Sequence, residues 1–199
     1  VQQQHGVPPT VASLGADAAA LLVEVRGEDR EQLAHRLHTV RTALDGIATA
    51  TPIEFTDDPD HCAALWKVRK GTFPSVGSRR ATGTTVIIED VAFPVERLAE
   101  ATHDLQRLLV AHGYDDAIIF GHALEGNLHF TFPQDFGTAA EVQRYARLMD
   151  AVAQLVVHKY DGALKAEHGT GRNMAPFVAL EWGADGLALM REIKQLFDA

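Results

Sequence analysis

The spacing of apolar residues along the chain predicts a mixed series of strands and helices. Residues 20–26 and 47–55 have the short apolar runs that are typical of strands. Between them, apolar residues recur at helical spacing after Asp29, which forms a capping-box pattern with Gln32. A second helix is predicted at about residues 59–73. The first part of the chain is therefore expected to alternate strand and helix.

The following part of the chain is predicted to add strands that lie closer together. Three further strands are expected at residues 84–90, 116–122 and 127–132. A helix begins at Pro94 and ends at Gly113. Its inward face is predicted to consist of Val95, Leu98, Leu105, Leu108 and Leu109. Thr138 and Glu141 form another capping box, ahead of a long helix that ends near residue 160.

The order of these elements departs from strict βαβ alternation, because two strands follow each other directly before the long helix. That order predicts an α+β fold with a ferredoxin-like antiparallel sheet and helices packed on one face. Residues 1–17 lack periodicity and are predicted to be a linker, and residues 18–199 to form one domain. Since the chain begins with Val rather than Met, we expect it to be a segment of a longer protein.

Composition and charge narrow the classes of function. Hydrophobic residues make up 46% and charged residues 23% of the 199 residues, which is typical of a folded protein. The 18 Lys and Arg against 27 Asp and Glu give a formal net charge of −9. Such a chain repels phosphate backbones, so we expect no nucleic-acid partner. It would also repel anionic substrates, so an arginine in a pocket is a candidate for binding such a substrate.

Cysteine content and hydropathy bear on cofactors and location. Cys62 is the only cysteine, which excludes an internal disulfide and a cysteine-ligated iron–sulfur cluster within this chain. No apolar run approaches the roughly 18 residues of a membrane span. We therefore expect no membrane span and a cytoplasmic protein, peripheral to a membrane at most through its electron acceptor.

Two histidines in the last strand pair are the first candidate for chemistry. If Glu125 and Gly126 form a two-residue hairpin loop, His122 lies opposite His129. Alternation then places both imidazoles on the polar face of the sheet, opposite Phe130. Directly opposed residues have Cβ atoms about 4.5–5.5 Å apart, so the two imidazoles can share a divalent metal. The alternative is an exposed or hydrogen-bonded histidine pair without a metal.

The loop at residues 167–172, Glu-His-Gly-Thr-Gly-Arg, is the second candidate. Glu167 can complete a site of two histidines and one carboxylate that leaves positions open for substrate. His168 is a candidate general base, because the ordinary imidazole pKa suits proton abstraction near neutral pH. Arg172 can bind a carboxylate through both arms of its guanidinium. The alternative is a connecting loop whose glycines only make the turn.

A basic helical segment is the third candidate. Trp66 and Arg69 are three residues apart and share one face of the predicted second helix. Arg69 projecting into a pocket would orient a substrate carboxylate. A solvated charge on an amphipathic helix is the alternative, and it is the preferred interpretation of Arg79 and Arg80.

Together these motifs resemble the C-terminal domain of FAD-linked oxidases of the vanillyl-alcohol-oxidase type, a group that includes D-lactate and D-2-hydroxyglutarate dehydrogenases. The resemblance runs from about residue 20 to the end of the chain. It is carried by Trp66-Lys-Val-Arg69, Glu89-Asp90-Val-Ala-Phe-Pro94, Gly121-His122 through Asn127-Leu128-His129, Glu167-His168-Gly169-Thr170-Gly171-Arg172 and Met190-Arg-Glu-Ile-Lys194. Residues 82–98 look most similar to large bacterial flavin dehydrogenases that also carry an iron–sulfur module.

The resemblance implies a function and a set of roles. The chain would be the substrate-binding cap of a flavin-dependent dehydrogenase that oxidises a D-2-hydroxy acid by hydride transfer to FAD. The FAD would sit mainly in a separate N-terminal FAD-binding domain of the same enzyme, and this chain alone would be inactive. The metal ligands, for a divalent metal such as zinc, would be His122, His129 and Glu167. The base would be His168, and substrate contacts would come from Arg69, Asn127, Thr131 and Arg172.

Two positions depart from the hydroxyglutarate enzymes in this resemblance. Those enzymes carry a lysine where this chain has Ile88 and an asparagine where it has Thr131, so both a D-lactate and a D-2-hydroxyglutarate type of substrate stay open. An alternative of a different class is a non-catalytic ferredoxin-like module that binds a metal or a partner. The dehydrogenase hypothesis requires that one concavity be lined by Arg69, His122, His129 and His168. If these four residues lie far apart, the non-catalytic module is favoured.

Overall fold

A computed structural model describes residues 7, 9–15, 18–169 and 171–198, apart from the side chains of Thr10, Val11, Ser75, Ser78, Arg79 and Arg172. The chain divides into two compact units, Val1–Ser75 and Val76–Ala199. The predicted linker at residues 1–17 lies partly outside the described residues, and its boundary stays a prediction. No helix in the described ranges is both long and apolar enough to cross a membrane.

The first unit is helical where it is regular. Its helices are α1 (Pro9–Ala12), α2 (Arg30–Leu44) and α3 (Pro59–Lys70), and α4 (Thr72–Arg79) begins in it. The predicted cap of α2 is confirmed, because the Asp29 carboxylate accepts a hydrogen bond from the backbone N–H of Gln32 at 2.8 Å. The strands predicted at residues 20–26 and 47–55 are wrong, since both segments are irregular. A strand needs a hydrogen-bonded neighbour, and in the described residues the paired strands all belong to the second unit.

The second unit contains a three-stranded antiparallel sheet in the order β1-β3-β2. Its strands are β1 (Thr85–Ala92), β2 (Ile118–His122) and β3 (Asn127–Gln134). After a 3₁₀ turn at Val95–Arg97, helix α5 (Leu98–Ala111) connects β1 to β2, so these two strands run parallel on either side of β3. This is the split βαβ arrangement of ferredoxin-like folds, and it confirms the predicted α+β class.

One face of the sheet packs against α5 and α6 (Ala139–Gln154). Phe130 and Phe132 of β3 are fully buried there with Leu105 of α5 and Leu148 of α6. Burying each such side chain contributes about 1.5–3 kcal/mol, so this face is the main core. Val95 is 49% exposed rather than inward, because it precedes the first turn of α5 and so lies outside the helical stripe.

The N-cap predicted ahead of α6 is confirmed, since the Thr138 hydroxyl accepts a hydrogen bond from the backbone N–H of Glu141 at 3.3 Å. The Glu141 carboxylate accepts from Arg144 at 2.6 Å. A π-helical turn, Leu155–Lys159, extends α6 to the predicted end near residue 160. The chain then returns to the end of β1, where Ala92 and Ala163 exchange two backbone hydrogen bonds at 2.9 Å. This bridge brings the following loop over the sheet. Helix α7 (Gly171–Met174), a 3₁₀ turn (Ala175–Phe177) and α8 (Val178–Phe197), which is kinked at Gly183, complete the described chain.

The β2–β3 hairpin has a longer turn than the sequence predicted. Residues 123–126 form the turn, so His122 pairs with Asn127 while His129 pairs with Phe120. The prediction that His122 and His129 are directly opposed is therefore wrong. They are diagonal neighbours on one face, because a register change of two residues leaves every side chain on its predicted face.

Gly126 explains why the turn takes this form. Its φ is +65°, a left-handed conformation that favours glycine. A Cβ at this position would lie 2.0 Å from the backbone oxygen of Phe93, so the turn can approach that strand end only with glycine. The backbone N–H of Phe93 in turn donates to the Gly126 oxygen at 2.9 Å. The turn is thus fixed by a contact with a distant segment.

A buried carboxylate joins α5 to the end of α6. The Asp104 carboxylate accepts a hydrogen bond from the Tyr160 hydroxyl at 2.6 Å and contacts both Lys159 and Arg107. These donors hold the pKa of the Asp104 carboxyl well below its usual range, and Lys159 has the largest effect. The carboxylate is therefore charged throughout the physiological pH range.

We expect Asp104→Asn to lower the free energy of unfolding by about 1.5–3 kcal/mol at neutral pH, the usual range for hydrogen bonds to a charged group. A carboxylate whose pKa is depressed by folding contributes stability above its unfolded pKa and loses it as pH falls through the folded pKa. The difference between wild type and variant should thus shrink in urea unfolding below about pH 4. Asp150→Asn, at an exposed site on α6, is the control. A difference that is constant down to about pH 3 would contradict the assignment.

Candidate functional site

The sheet face opposite the core carries polar side chains in its centre. His122 of β2 and Asn127, His129 and Thr131 of β3 share this face, as the alternation predicted. The His129 side chain is only 4% exposed, whereas that of His122 is 53% exposed. Their ring centroids are 5.6 Å apart. One imidazole is thus buried against the sheet and the other stands at its edge.

The loop that carries Glu167 and His168 is attached to this face by Asp90 of β1. The Asp90 Oδ2 atom accepts hydrogen bonds from three consecutive backbone N–H groups, at 3.1 Å from Ala166, 2.6 Å from Glu167 and 3.3 Å from His168. In the register of the sheet, Asp90 lies directly opposite His129. The acid and the imidazole of the loop are therefore held over the two histidines of the hairpin.

The Glu167 carboxylate lies between the two hairpin histidines. Its Oε1 atom is 2.9 Å from His129 Nε2 and 3.6 Å from His122 Nε2. All three potential ligand atoms lie within 4.8 Å of one another. Ligands bound to a tetrahedral zinc at about 2.0–2.2 Å are about 3.3 Å apart, so donor types and spacing fit such a cation with small side-chain movements.

The environment of His129 favours the neutral imidazole. Burial lowers the pKa of His129, and the nearby Glu167 carboxylate opposes this shift only in part. The neutral form is the one that can donate a nitrogen lone pair to a metal. The other ring nitrogen, Nδ1, is buried without a hydrogen-bond partner among the described residues. Metal-bound histidines commonly donate that second N–H, so His129 lacks this support.

His168 stacks on His129, with ring centroids 4.9 Å apart and an interplanar angle of 23°. Its Nδ1 atom is 3.6 Å from Asp90 Oδ1, and its Nε2 atom is 3.9 Å from Glu167 Oε1. Asp90, His129 and His168 form a second set of potential ligands within 4.8 Å. Because Asp90 already accepts three backbone hydrogen bonds, the set with Glu167 is the better candidate for a metal.

The two predicted substrate contacts on β3 have different environments. Asn127 donates through Nδ2 to the backbone oxygen of Val91 at 3.2 Å, while its buried Oδ1 has no hydrogen-bond partner in the part of the chain that the structure describes. That oxygen can accept a proton donor from a ligand. Thr131 is fully buried, and its hydroxyl donates to the backbone oxygen of Ile87 at 2.8 Å. A substrate contact by Thr131 has no comparable support and stays a prediction.

The structure brings together five of the eight predicted site residues: Asn127, His122, His129, Glu167 and His168. Thr131 lies further along the same face. Arg69 lies on α3 in the first unit, and its part in the site stays a prediction. The side chain of Arg172 lies outside the described residues, so its predicted role is likewise untested.

Two consecutive carboxylates of β1 received no role in the sequence analysis. Asp90 faces the histidines, whereas Glu89 faces the other way and pairs with Phe130. Glu89 contacts the Asn173 side-chain amide of α7, and burial raises the pKa of its carboxyl group. The sequence did contain a signal for such a role, namely two adjacent acidic residues inside an apolar strand. Buried carboxylates are rare unless they have partners. Asp90 thus binds the backbone of residues 166–168, and Glu89 contacts the chain again at Asn173.

Comparison with known proteins places the chain in a family. A sequence model described as FAD linked oxidases, C-terminal domain, matches residues 2–199. The chain is 25% identical over 183 residues to the glycolate oxidase subunit GlcD of Bacillus subtilis, covering 90% of the chain and 37% of that protein. It is 27% identical over 183 residues to the D-2-hydroxyglutarate dehydrogenase of Pantoea ananatis, covering 89% of the chain and 18% of that protein.

A third relative is mitochondrial. The chain is 28% identical over 153 residues to the D-lactate dehydrogenase (cytochrome) of Kluyveromyces lactis, covering 74% of the chain and 25% of that protein. The chain thus spans between 18% and 37% of the length of these three relatives.

Proposed function

Because this chain belongs to the family of C-terminal domains of FAD-linked oxidases, we propose that it is the substrate-binding cap of a flavin-dependent dehydrogenase that oxidises a D-2-hydroxy acid. The observation that carries the proposal is the convergence of His122, His129, Glu167 and His168 on one sheet face. The names of two of the three relatives support a substrate of the D-lactate or D-2-hydroxyglutarate type, and the third, a glycolate oxidase subunit, supports the wider class of 2-hydroxy acids. The flavin would be held mainly by a separate FAD-binding domain of the same enzyme.

In this proposal His122, His129 and Glu167 hold a divalent cation such as zinc. The donor set and its spacing support this role, and a −9 chain needs a local positive charge to attract an anionic substrate. A divalent cation, when bound, would supply attraction for the substrate carboxylate and would lower the pKa of the α-hydroxyl group. The partly exposed side chains of His122 and Glu167 leave one side of the set open to a substrate.

The residues of this chain have distinct proposed roles in the reaction. The Nε2 atom of His168 takes the proton of the α-hydroxyl group, while Asp90 lies on the Nδ1 side of the same ring. The free Oδ1 of Asn127 accepts a hydrogen bond from the substrate, and Arg69 and Arg172 bind its carboxylate. A flavin held by the separate domain would supply the acceptor for the hydride of the α-carbon. Loss of that hydride and of the hydroxyl proton converts the hydroxy acid to a keto acid.

The proposal predicts activity for the complete enzyme and none for this chain alone. We expect the complete polypeptide, with its FAD-binding domain and FAD, to reduce an artificial electron acceptor with D-lactate or D-2-hydroxyglutarate. The L-enantiomers should give kcat/KM values at least about tenfold lower, because a fixed base and carboxylate site present only one α-hydrogen to the flavin. The 199-residue chain is the control and should show neither turnover nor flavin absorbance.

The non-catalytic alternative makes the opposite prediction. If the histidine cluster served only to bind a metal or a partner, none of these hydroxy acids would support reduction of the acceptor by the complete enzyme. A stoichiometric flavin spectrum from the isolated chain would contradict the proposed division between cap and FAD-binding domain.

A further inference from the structure

The feature that carries a further inference is the buried carboxylate of Asp90. We propose that Asp90 is the positioning residue of the site, which holds the loop at residues 166–168 so that Glu167 and His168 lie over His129. This inference rests on the proposed function, because it assigns to Asp90 the geometry of the proposed metal and base site. Asp90 itself makes no proposed contact with substrate.

The hydrogen bonds of Asp90 control the backbone of the loop. One carboxylate oxygen accepts from the N–H groups of Ala166, Glu167 and His168, at 2.6–3.3 Å. Hydrogen bonds to a charged acceptor are about twice as strong as neutral ones, and the Asp90 side chain is only 2% exposed. Three successive N–H groups that converge on one atom leave the loop little freedom to shift. The position of the carboxylate therefore sets the path of the loop.

The loop needs such an anchor, because its own side chains are largely exposed. The Glu167 side chain is 52% exposed and that of His168 is 43% exposed. Gly169, with φ +69°, directly follows. The bridge between Ala92 and Ala163 holds the chain only upstream of the loop. An anchor at residues 166–168 thus acts on a segment whose own side chains are mostly exposed.

The place of Asp90 in the sheet links this anchor to the histidines. Asp90 lies directly opposite His129 on the neighbouring strand, and both side chains are on the face that carries His122. Two features therefore set the separation of 2.9 Å between Glu167 Oε1 and His129 Nε2: the pairing of Asp90 with His129 in the sheet, and the hydrogen bonds of Asp90 to the loop. The same carboxylate has its other oxygen 3.6 Å from His168 Nδ1, so it also sets the side on which the imidazole stands.

The test compares zinc binding of the 199-residue chain with two substitutions at Asp90. Asp90→Ala removes the acceptor, and we expect it to weaken zinc binding about 10–100-fold, the usual effect of losing a residue that supports a metal ligand. Asp90→Asn keeps one acceptor oxygen for the loop and should stay within about threefold of wild type. The matched control is Asp104→Asn, which alters another buried carboxylate with three side-chain donors and should leave zinc binding unchanged. Zinc affinity is measured by competition with a chelating dye.

Two further measurements separate positioning from general destabilisation. If Asp90 acts on zinc through Glu167, the double variant Asp90→Ala/Glu167→Ala should bind zinc no more weakly than Glu167→Ala alone. In the metal-free chain, Asp90→Ala should speed hydrogen exchange of the backbone amides at residues 166–168, and Asp104→Asn should not. Additive losses in the double variant, or unchanged exchange at these amides, would overturn the inference.

The outcomes distinguish this inference from the function on which it rests. A wild-type chain that binds no zinc overturns the proposed metal site, and amide exchange then still decides whether Asp90 places the loop. Zinc binding by wild type that is unchanged in Asp90→Ala overturns the positioning role and leaves the proposed metal site standing.

Discussion

Replacement of His129 or Glu167 by alanine is expected to weaken zinc binding at least about 100-fold, more than the loss of a supporting residue does, and to lower turnover of the complete enzyme severely. Each substitution removes one of three proposed ligands and leaves a site of two donors. Glu167 also supplies the negative charge between the two imidazoles, at 2.9 Å and 3.6 Å. Removal of that charge raises the cost of holding a divalent cation.

Zinc content and steady-state kinetics of the same preparations test this expectation. His103→Ala and Glu96→Ala are matched controls, because both residues are exposed in the same unit and belong to neither set of potential metal ligands. They should retain the zinc content and turnover of wild type. Near-normal turnover of both His129→Ala and Glu167→Ala would reassign these residues to a structural polar cluster.

The second large effect is expected from His168→Ala in the complete enzyme. A general base contributes about 10²–10⁴-fold, so kcat should fall by this order while zinc affinity stays near that of wild type. The reason is the geometry: His168 stacks on His129 and faces Asp90, but the three proposed zinc ligands do not include it. Steady-state kinetics together with zinc titration measure the separation of the two functions.

Arg69→Ala provides the contrast in the same assay. If Arg69 mainly positions the substrate carboxylate, its loss should raise KM more than it lowers kcat. The pair of variants then separates binding from the proton-transfer step. Loss of zinc in His168→Ala would instead favour the second ligand set, Asp90, His129 and His168.

Local signals in the sequence were sufficient for helix ends and for the faces of the sheet. Asp29 and Thr138 cap their helices as predicted, because a capping side chain binds N–H groups only a few residues away. The alternation along β3 placed Phe130 in the core and His129 on the opposite face. This placement is robust, since an error of two residues in register does not change the face of a side chain.

The same signals failed where a partner segment decides the conformation. The apolar runs at residues 20–26 and 47–55 have a strand-like composition, yet both are irregular. Leu21 is 78% exposed, which shows that composition alone does not bury a segment. A strand is stable only when its backbone groups bond to a neighbour, and the pattern within one segment carries no information about that neighbour.

The sequence by itself determined the α+β class, the polar face of the hairpin and the residue types that can do chemistry. Only the tertiary structure decided the hairpin register, because the turn at Gly126 is shaped by contact with Phe93. It alone also revealed Asp90 as the anchor of the loop, through hydrogen bonds to residues that lie 76 to 78 positions further along the chain. Local propensity acts over a few residues, whereas a site such as this is assembled by contacts between segments that only the folded backbone brings together.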